Sequence, residues 1–318
     1  MKKVFSAIIF LLILITGLLS FFSANEKRET LHTFALDTVI NITAQKKDAA
    51  LVKEALSLCS HYENIFSRTN PESELYKVNS KEKTVLSSDL EKVLSFSLDF
   101  CRRTDGAFDI TVAPLTKLWN IKERKVPPEE NEISEALRNV GYEKVTLSPF
   151  SLGKRELDLG AVAKGYIADC LTEFFKEKGV EEAIIDLGGN VALIGNFSVG
   201  IRDPFDSEKL FAKIRIKDKS AVTSGAYQRY FEYEGERYHH ILDPRTGKCA
   251  SSSLASVTVI SPSSMHADAL STAIYVLGEN ALSLCAQFPD TDALLITDEG
   301  KVITTDGFGE KYGLQLLK

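Results

Sequence analysis

Apolar residues recur along the chain at two different periods, and one stretch near the N-terminus is apolar without any period. From Asp48 onward, Leu51, Ala55, Leu58, Tyr62 and Ile65 fall three and four residues apart, the spacing of one buried helix face. A second helix is predicted from Ser88-Asp89-Leu90-Glu91, carrying Leu90, Val93, Leu94, Leu98 and Cys101 to a stop at Arg102-Arg103 and Gly106. Glu130–Val140, closed by Gly141, reads as a third, and Ala163–Lys178, closed by Gly179, as a fourth. β-type runs come at Thr38–Ala44, Ala183–Asp186, Val191–Ile194, Phe211–Ile216, Leu254–Ile260, Ala293–Thr297 and Lys301–Thr305. The last two flank Asp298-Glu299-Gly300 and predict a hairpin. Helices and strands mix without a βαβ rhythm, which predicts an α+β fold rather than a doubly wound sheet.

The run without a period is Val4–Phe22, uncharged and preceded by Lys2 and Lys3. Its 19 residues, as a helix, would reach about 28 Å, near the ~30 Å hydrocarbon core of a bilayer. The leading lysines predict a cytoplasmic N-terminus with the main body on the extracytoplasmic side. Ser23-Ala24 offers small residues for cleavage, but Phe22 stands where a signal peptidase wants a small side chain. An uncleaved signal-anchor over residues 1–28 is the expected reading, with a cleaved signal peptide as its rival. Residues 29–318 form the expected exported domain; no repeat or low-complexity linker divides them.

Composition narrows the class. With 318 residues, 44% of them hydrophobic and 26% charged, the chain is an ordinary globular one. Its 38 basic and 44 acidic side chains give a net charge of −6, which argues against nucleic acid as a partner. Five scattered cysteines show neither C-x-x-C nor metal-like spacing, so a disulfide framework is not expected.

Four segments combine glycine with polar side chains. Leu157-Asp158-Leu159-Gly160-Ala161-Val162-Ala163-Lys164-Gly165 leads into the fourth helix. It is either an ordinary helix start or an anion-binding turn to which Lys164 adds charge. Asp186-Leu187-Gly188-Gly189-Asn190 is first of all a tight turn needing positive φ, with close approach to a ligand as the alternative. Thr223-Ser224-Gly225-Ala226-Tyr227 precedes Tyr238-His239-His240-Ile241-Leu242-Asp243-Pro244-Arg245-Thr246-Gly247. On a strand the adjacent histidines would face opposite ways, so at most one meets a ligand; Asp-Pro-x-x-Gly is a turn signal in its own right. In Met265-His266-Ala267-Asp268-Ala269-Leu270-Ser271-Thr272-Ala273, a helix would bring Asp268 and Thr272 to one face. That pair of hard oxygens suits Mg²⁺, or else a cap and a buried hydroxyl.

Taken in order, these segments resemble the ApbE-type FAD:protein FMN transferases. So do Phe34-Ala35-Leu36-Asp37-Thr38, Phe66-Ser67 with Ser73-Glu74-Leu75, and Gly106-Ala107-Phe108-Asp109 with Leu118-Trp119. The resemblance runs from about Thr33 to the C-terminus. It implies an α+β fold with a mixed, largely antiparallel sheet. It also implies Mg²⁺-dependent transfer of FMN from FAD, through a phosphoester, to a Thr or Ser of an acceptor protein, with release of AMP. By the family pattern the metal ligands are the Ala161 main-chain carbonyl, Asp268 and Thr272. FAD contacts fall at Leu36, Thr69, Ala107, Phe108, Asp109, Asp158, Lys164 and Ile241. His240 is the expected base and His239 the reserve. Leu36 stands where relatives usually have Met, and Thr69 where an aromatic is common. The lipid-modified cysteine of many relatives is replaced by the apolar run. The family suggests a redox subunit of a bacterial cell membrane as acceptor, exposed on the extracytoplasmic side. Rival readings are an FAD pyrophosphatase that uses water, and a non-catalytic flavin-binding protein.

Overall fold

The computed structural model describes residues 28–317. The expected signal-anchor over residues 1–28 therefore lies outside the described residues but for Arg28. Among the described residues no helix is long and apolar enough to cross a membrane.

The centre is an eight-stranded sheet, ordered β1 (Arg28–Ala35), β2 (Thr38–Gln45), β5 (Ala183–Asp186), β6 (Asn190–Ile194), β9 (Ser220–Gly225), β12 (Leu254–Ser261), β13 (Asp292–Thr297) and β14 (Val302–Thr304). Every neighbouring pair is antiparallel. β3 (Thr146–Leu147) and β4 (Phe150–Ser151) form a short ladder, and β10 (Tyr230–Tyr233) and β11 (Glu236–His239) a hairpin. β7 (Asn196–Arg202) and β8 (Leu210–Lys217) make a second small sheet with β15 (Gln315–Leu316).

One face of the central sheet carries helices α1 (Ala49–Phe66), α3 (Ser88–Arg103), α6 (Ala163–Glu177) and α7 (Ser264–Leu277). Ile40, Ile42, Val257 and Val259 of the sheet pack there with Leu94, Ile167 and Leu270. The other face meets the small sheet and α8 (Phe308–Tyr312), through Ile260, Leu294, Ile214 and Phe308. A satellite cluster of Leu115 and Trp119 on α4 (Ala113–Trp119), Ile133 on α5 (Glu130–Leu137), Phe231 and Leu242 supports the β10–β11 hairpin. A strand covered on both faces should read as unbroken apolar sequence, and all eight residues of β12 are buried.

Helix limits follow local chemistry. α3 is capped by Ser87, whose hydroxyl accepts the Leu90 N–H at 3.3 Å, with Asp89 and Glu91 in the first turn and Arg102 and Arg103 in the last. The Gly188-Gly189 segment is a turn: both glycines have positive φ, 69° and 107°, and Asp186 Oδ1 accepts their N–H groups at 3.0 and 3.3 Å. The Asp243 turn is likewise formed, with the Gly247 N–H on the Asp243 carbonyl at 2.8 Å.

Gly165 sets the closest approach of two helices. A Cβ there would lie 2.4 Å from the Ser264 carbonyl oxygen and 2.6 Å from the Met265 Cα. Gly165→Ala is therefore expected to destabilise the fold by about 1–3 kcal/mol, the usual range for overpacking a filled contact. Gly309 in α8 has nothing within 4 Å of such a Cβ, and Gly309→Ala should stabilise by ~0.4–1 kcal/mol. Urea melts of the two variants check both signs; a neutral Gly165→Ala would mean that α6 and α7 pack less closely than described.

Candidate active site

The site is built on the loop that enters α6. The Asn79 amide, on α2 (Glu74–Asn79), grips Leu157 from both sides, donating to its carbonyl at 2.9 Å and accepting its N–H at 2.7 Å. The Asp158 N–H donates to the Ile110 carbonyl at 2.8 Å. Asp158 Oδ1 accepts the Gly160 N–H at 2.9 Å, and Oδ2 pairs with Arg68 Nε at 3.0 Å. Lys164 Nζ donates to the Gly160 carbonyl at 2.9 Å. The loop that presents Ala161 is thus held by side chains from three separate segments.

α7 supplies the oxygen pair. Asp268 is buried, and its Oδ2 accepts the Gly165 N–H at 2.9 Å. Among the described residues its Oδ1 has no hydrogen-bond partner and no cationic side chain pairs with the carboxylate. A divalent cation would give this carboxylate the counter-charge it lacks. One helical turn on, the Thr272 hydroxyl lies 3.4 Å from Ser224 Oγ of β9, which is 2.8 Å from Ser271 Oγ. No cluster of three or more His, Cys, Asp or Glu side chains among the described residues offers a ready metal centre. A carboxylate, a hydroxyl and a main-chain carbonyl form the hard-oxygen set that suits Mg²⁺, so Asp268, Thr272 and Ala161 fit such an ion.

The histidines separate cleanly. His239 is buried; its Nε2 meets the Ala250 carbonyl at 3.1 Å and its Nδ1 accepts the Ile241 N–H at 3.3 Å. Both nitrogens are spent on the fold. His240 is half-buried, and its Nδ1 lies 3.3 Å from the Arg229 carbonyl. A carbonyl only accepts, so Nδ1 carries the proton and the Nε2 lone pair stays open. Burial pushes the His240 imidazole down to about 4, with the Arg229 and Lys164 cations and His239 adding to the effect.

Positive charge gathers around this ring. Lys122 pairs with Asp37, and Lys122, Arg229 and Arg68 together hold the Asp37 carboxyl below the usual carboxylate range. The Arg229 guanidinium donates to the Asp37 carbonyl at 3.4 Å, tying the β1–β2 turn to the β10–β11 hairpin. Neither Lys164 nor Arg229 has a carboxylate partner at ion-pair distance among the described residues. Two cations with no carboxylate at ion-pair distance, beside an open imidazole, make a receptive place for a phosphate group.

The remaining expected contacts are placed in different ways. Leu36 sits in the β1–β2 turn at φ 54°, its N–H on Glu63 Oε1 at 3.1 Å. Thr69 is exposed beside Arg68, in a turn closed on Ser67 Oγ. Ala107 and Phe108 are buried in the core, Phe108 edge-on to Phe100 at 5.1 Å, and their N–H groups go to the Thr104 carbonyl and hydroxyl at 3.0 and 3.2 Å. The Asp109 carboxylate receives the Thr111 N–H and hydroxyl, both at 2.7 Å, and the Tyr142 N–H at 3.1 Å; burial nonetheless pushes its pKa up. Ile241 is buried. The Gly165 amide is taken by Asp268, so the glycine serves helix packing rather than an open anion-binding turn. Arg68, Arg229 and Ser224 went unassigned in the sequence reading. Arg68 follows Phe66-Ser67 and Ser224 lies within a quoted motif, whereas no local pattern marks Arg229.

The all-antiparallel sheet backed by helices, with Lys164 and Arg229 near the α6 entry, defines an α+β domain. The sequence profile of the ApbE family matches residues 36–295, and the chain belongs to that family. It is 35% identical over 268 residues to an FAD:protein FMN transferase of Klebsiella pneumoniae, spanning 80% of this chain and 85% of that one. It is 34% identical over 293 residues to the protein of the same name from Treponema pallidum, spanning 82% and 81%. The crystal structure of the ApbE protein from Thermotoga maritima superposes with a TM-score of 0.81 at 30% identity, over 89% of this chain and 99% of that one. The flavin transferase ApbE of Vibrio cholerae superposes at 0.78 with 25% identity, over the same shares.

The electrostatics give a titration that can be read directly. In the ligand-free protein the His240 ring is expected to stay neutral on acidification to about pH 4. A phosphate ligand against Lys164 and Arg229 offsets two of the cations that depress it, so FAD should move that titration upward. NMR of the ring carbons checks both; a midpoint near the ordinary ~6.5 in the free protein would contradict the burial of the ring.

Proposed function

We propose that this chain is an FAD:protein FMN transferase: it moves FMN from FAD to a Thr or Ser hydroxyl of an acceptor protein and releases AMP. The observation that carries this reading is the open Nε2 of His240 beside Lys164 and Arg229, two cations without carboxylate partners. Relatives that bear this enzyme name cover most of the chain, which supports the same conclusion.

Chemically, the acceptor oxygen forms a bond to the FMN phosphorus while the bond from that phosphorus to the bridging oxygen breaks. AMP departs with the electron pair, and the hydroxyl proton passes to His240 Nε2. Lys164 and Arg229 bind the diphosphate and orient it against the imidazole. Burial is the main cause that weakens the free His240 as a base, and their charge adds to it, so neutralising them on FAD binding would remove part of that effect. A divalent cation held by Asp268, Thr272 and the Ala161 carbonyl would supply charge neutralisation of the diphosphate. The fold holds Arg68 ready through Asp158 and fixes the carbonyl-bearing loop through Asn79. The reading further includes attachment to the bacterial cell membrane through Val4–Phe22, with the domain on the extracytoplasmic side. Its support is the apolar run and the lysines before it.

Incubation with FAD, Mg²⁺ and a Thr-bearing acceptor, followed by intact-mass measurement, should show the acceptor gaining one FMN. Asp268→Ala should abolish labelling at low Mg²⁺. His240→Ala should slow it by ~10²–10⁴-fold while FAD affinity holds, with partial rescue at alkaline pH. Free FMN and AMP without labelling would instead identify a pyrophosphatase. Undiminished labelling by His240→Ala would remove His240 from the chemistry.

A further inference from the structure

α7 begins with all its first-turn amides satisfied, and half of them are satisfied from another helix. Asp169 on α6 accepts the Ser264 N–H on Oδ1 at 2.6 Å and the Met265 N–H on Oδ2 at 3.0 Å. The Ser263 hydroxyl donates to the same Oδ2 at 2.7 Å and accepts the His266 N–H at 3.3 Å. The Ala267 N–H goes to the Ser263 carbonyl at 3.1 Å. Helix starts usually recruit such acceptors from their own chain neighbourhood; here the principal acceptor lies 95 residues away from Ser264 in sequence.

The traffic between the two helices runs both ways. Asp169 of α6 holds the first turn of α7, and one turn back on α6 the Gly165 N–H holds Asp268, one turn into α7. The missing Cβ at Gly165 lets the helices close to this distance. Two anchors one turn apart prevent α7 from sliding or rotating against α6. Asp268 and Thr272 are carried by α7, and Ala161 and Lys164 by the loop and first turn of α6. The clasp therefore sets the relative position of the two halves of the oxygen set.

We propose that Asp169 is a positioning residue for metal binding, acting through the N-terminus of α7. The inference rests on the metal reading of Asp268 and Thr272 given above. Without the carboxylate, two N–H groups at the start of α7 lose their acceptor. Either water enters to accept them or the helix shifts to new acceptors, and a shift carries Asp268 with it. Asp169→Asn offers a single acceptor oxygen and a misplaced amide, whereas Asp169→Glu keeps the charge.

The test uses the full chain and Mn²⁺, read by loss of the free-ion electron paramagnetic resonance signal in the presence of FAD. Thermal melts are run in parallel. Asp169→Ala is expected to weaken Mn²⁺ binding by roughly 10–100-fold, the range seen when residues that orient metal ligands are removed. Asp169→Asn should fall in the same direction and Asp169→Glu should recover part of the loss. The Mg²⁺ concentration that half-saturates labelling should rise in parallel. If Asp169→Ala fails to fold, Asp169→Asn carries the comparison. A lowered melting temperature with unchanged Mn²⁺ affinity in both variants would reduce Asp169 to a structural cap and overturn the proposal. Asp268→Asn binding Mn²⁺ as tightly as the wild type would overturn the metal reading itself, and with it this inference. That outcome is distinguishable because it fails at Asp268 whatever Asp169 does.

Discussion

The contact between α6 and α7 is the constraint on which the rest of the structure depends. Gly165 has no room for a single additional carbon, and its N–H is committed to the Asp268 carboxylate. Everything proposed for the site is delivered by one side of this contact or the other. α6 and the loop before it bring Ala161, Lys164 and Asp158; α7 brings Asp268 and Thr272. β9 and β12 lie beneath α7, and β5 and β6 beneath α6, so both helices are seated on the central sheet. A rigid base of this kind is what preorganised chemistry requires, since displacements well under a helical turn would separate ligands that must act together.

Charge is arranged around that base with unequal compensation. At the periphery, carboxylates and cations pair in the ordinary way, as Lys311 does with Asp290 and Asp292. Near His240 the pairing stops: Arg68 is committed to Asp158, while Lys164 and Arg229 face main-chain carbonyls. The buried Asp268 is the mirror image, a carboxylate with one N–H and no cation. Two cations and one carboxylate in the same region thus lack an ion-pair partner among the described residues. A diphosphate and a divalent cation together would supply those partners.

Much of the fold could be read from the sequence wherever one element's own pattern decides its state. α3 follows from its cap, its apolar stripe and its terminal arginines, and β12 from its β-branched run Val257-Thr258-Val259-Ile260. β1 escaped because Arg28-Glu29-Thr30 opens it with polar residues, and β9 because Ser220–Gly225 is short and rich in small side chains; β7 alternates, so its strand signal was legible although the predicted runs omit it. The same distinction governs the site. Asp268 with Thr272 and the Asp158–Gly165 run are local spacings and were visible. The roles of Gly165, Arg229 and Asp169 arise from contacts between segments far apart in the chain, 103 residues in the case of Gly165 and Asp268, and no local period encodes these. The two histidines show the boundary most plainly. Alternation says that only one can face a ligand, but only the Ala250 and Arg229 carbonyls decide which ring keeps a free nitrogen.

The central claim is that the buried Asp268 carboxylate, locked against α6, is the charged anchor of a divalent cation at the diphosphate. Anomalous diffraction from crystals grown with Mn²⁺ and FAD measures this without reference to turnover. The account predicts one strong peak about 2.0–2.2 Å from Asp268 Oδ1, within reach of the Thr272 hydroxyl and the Ala161 carbonyl and in contact with the FAD phosphates. A peak held by other side chains, or FAD bound in its cleft with no peak at Asp268, would contradict it.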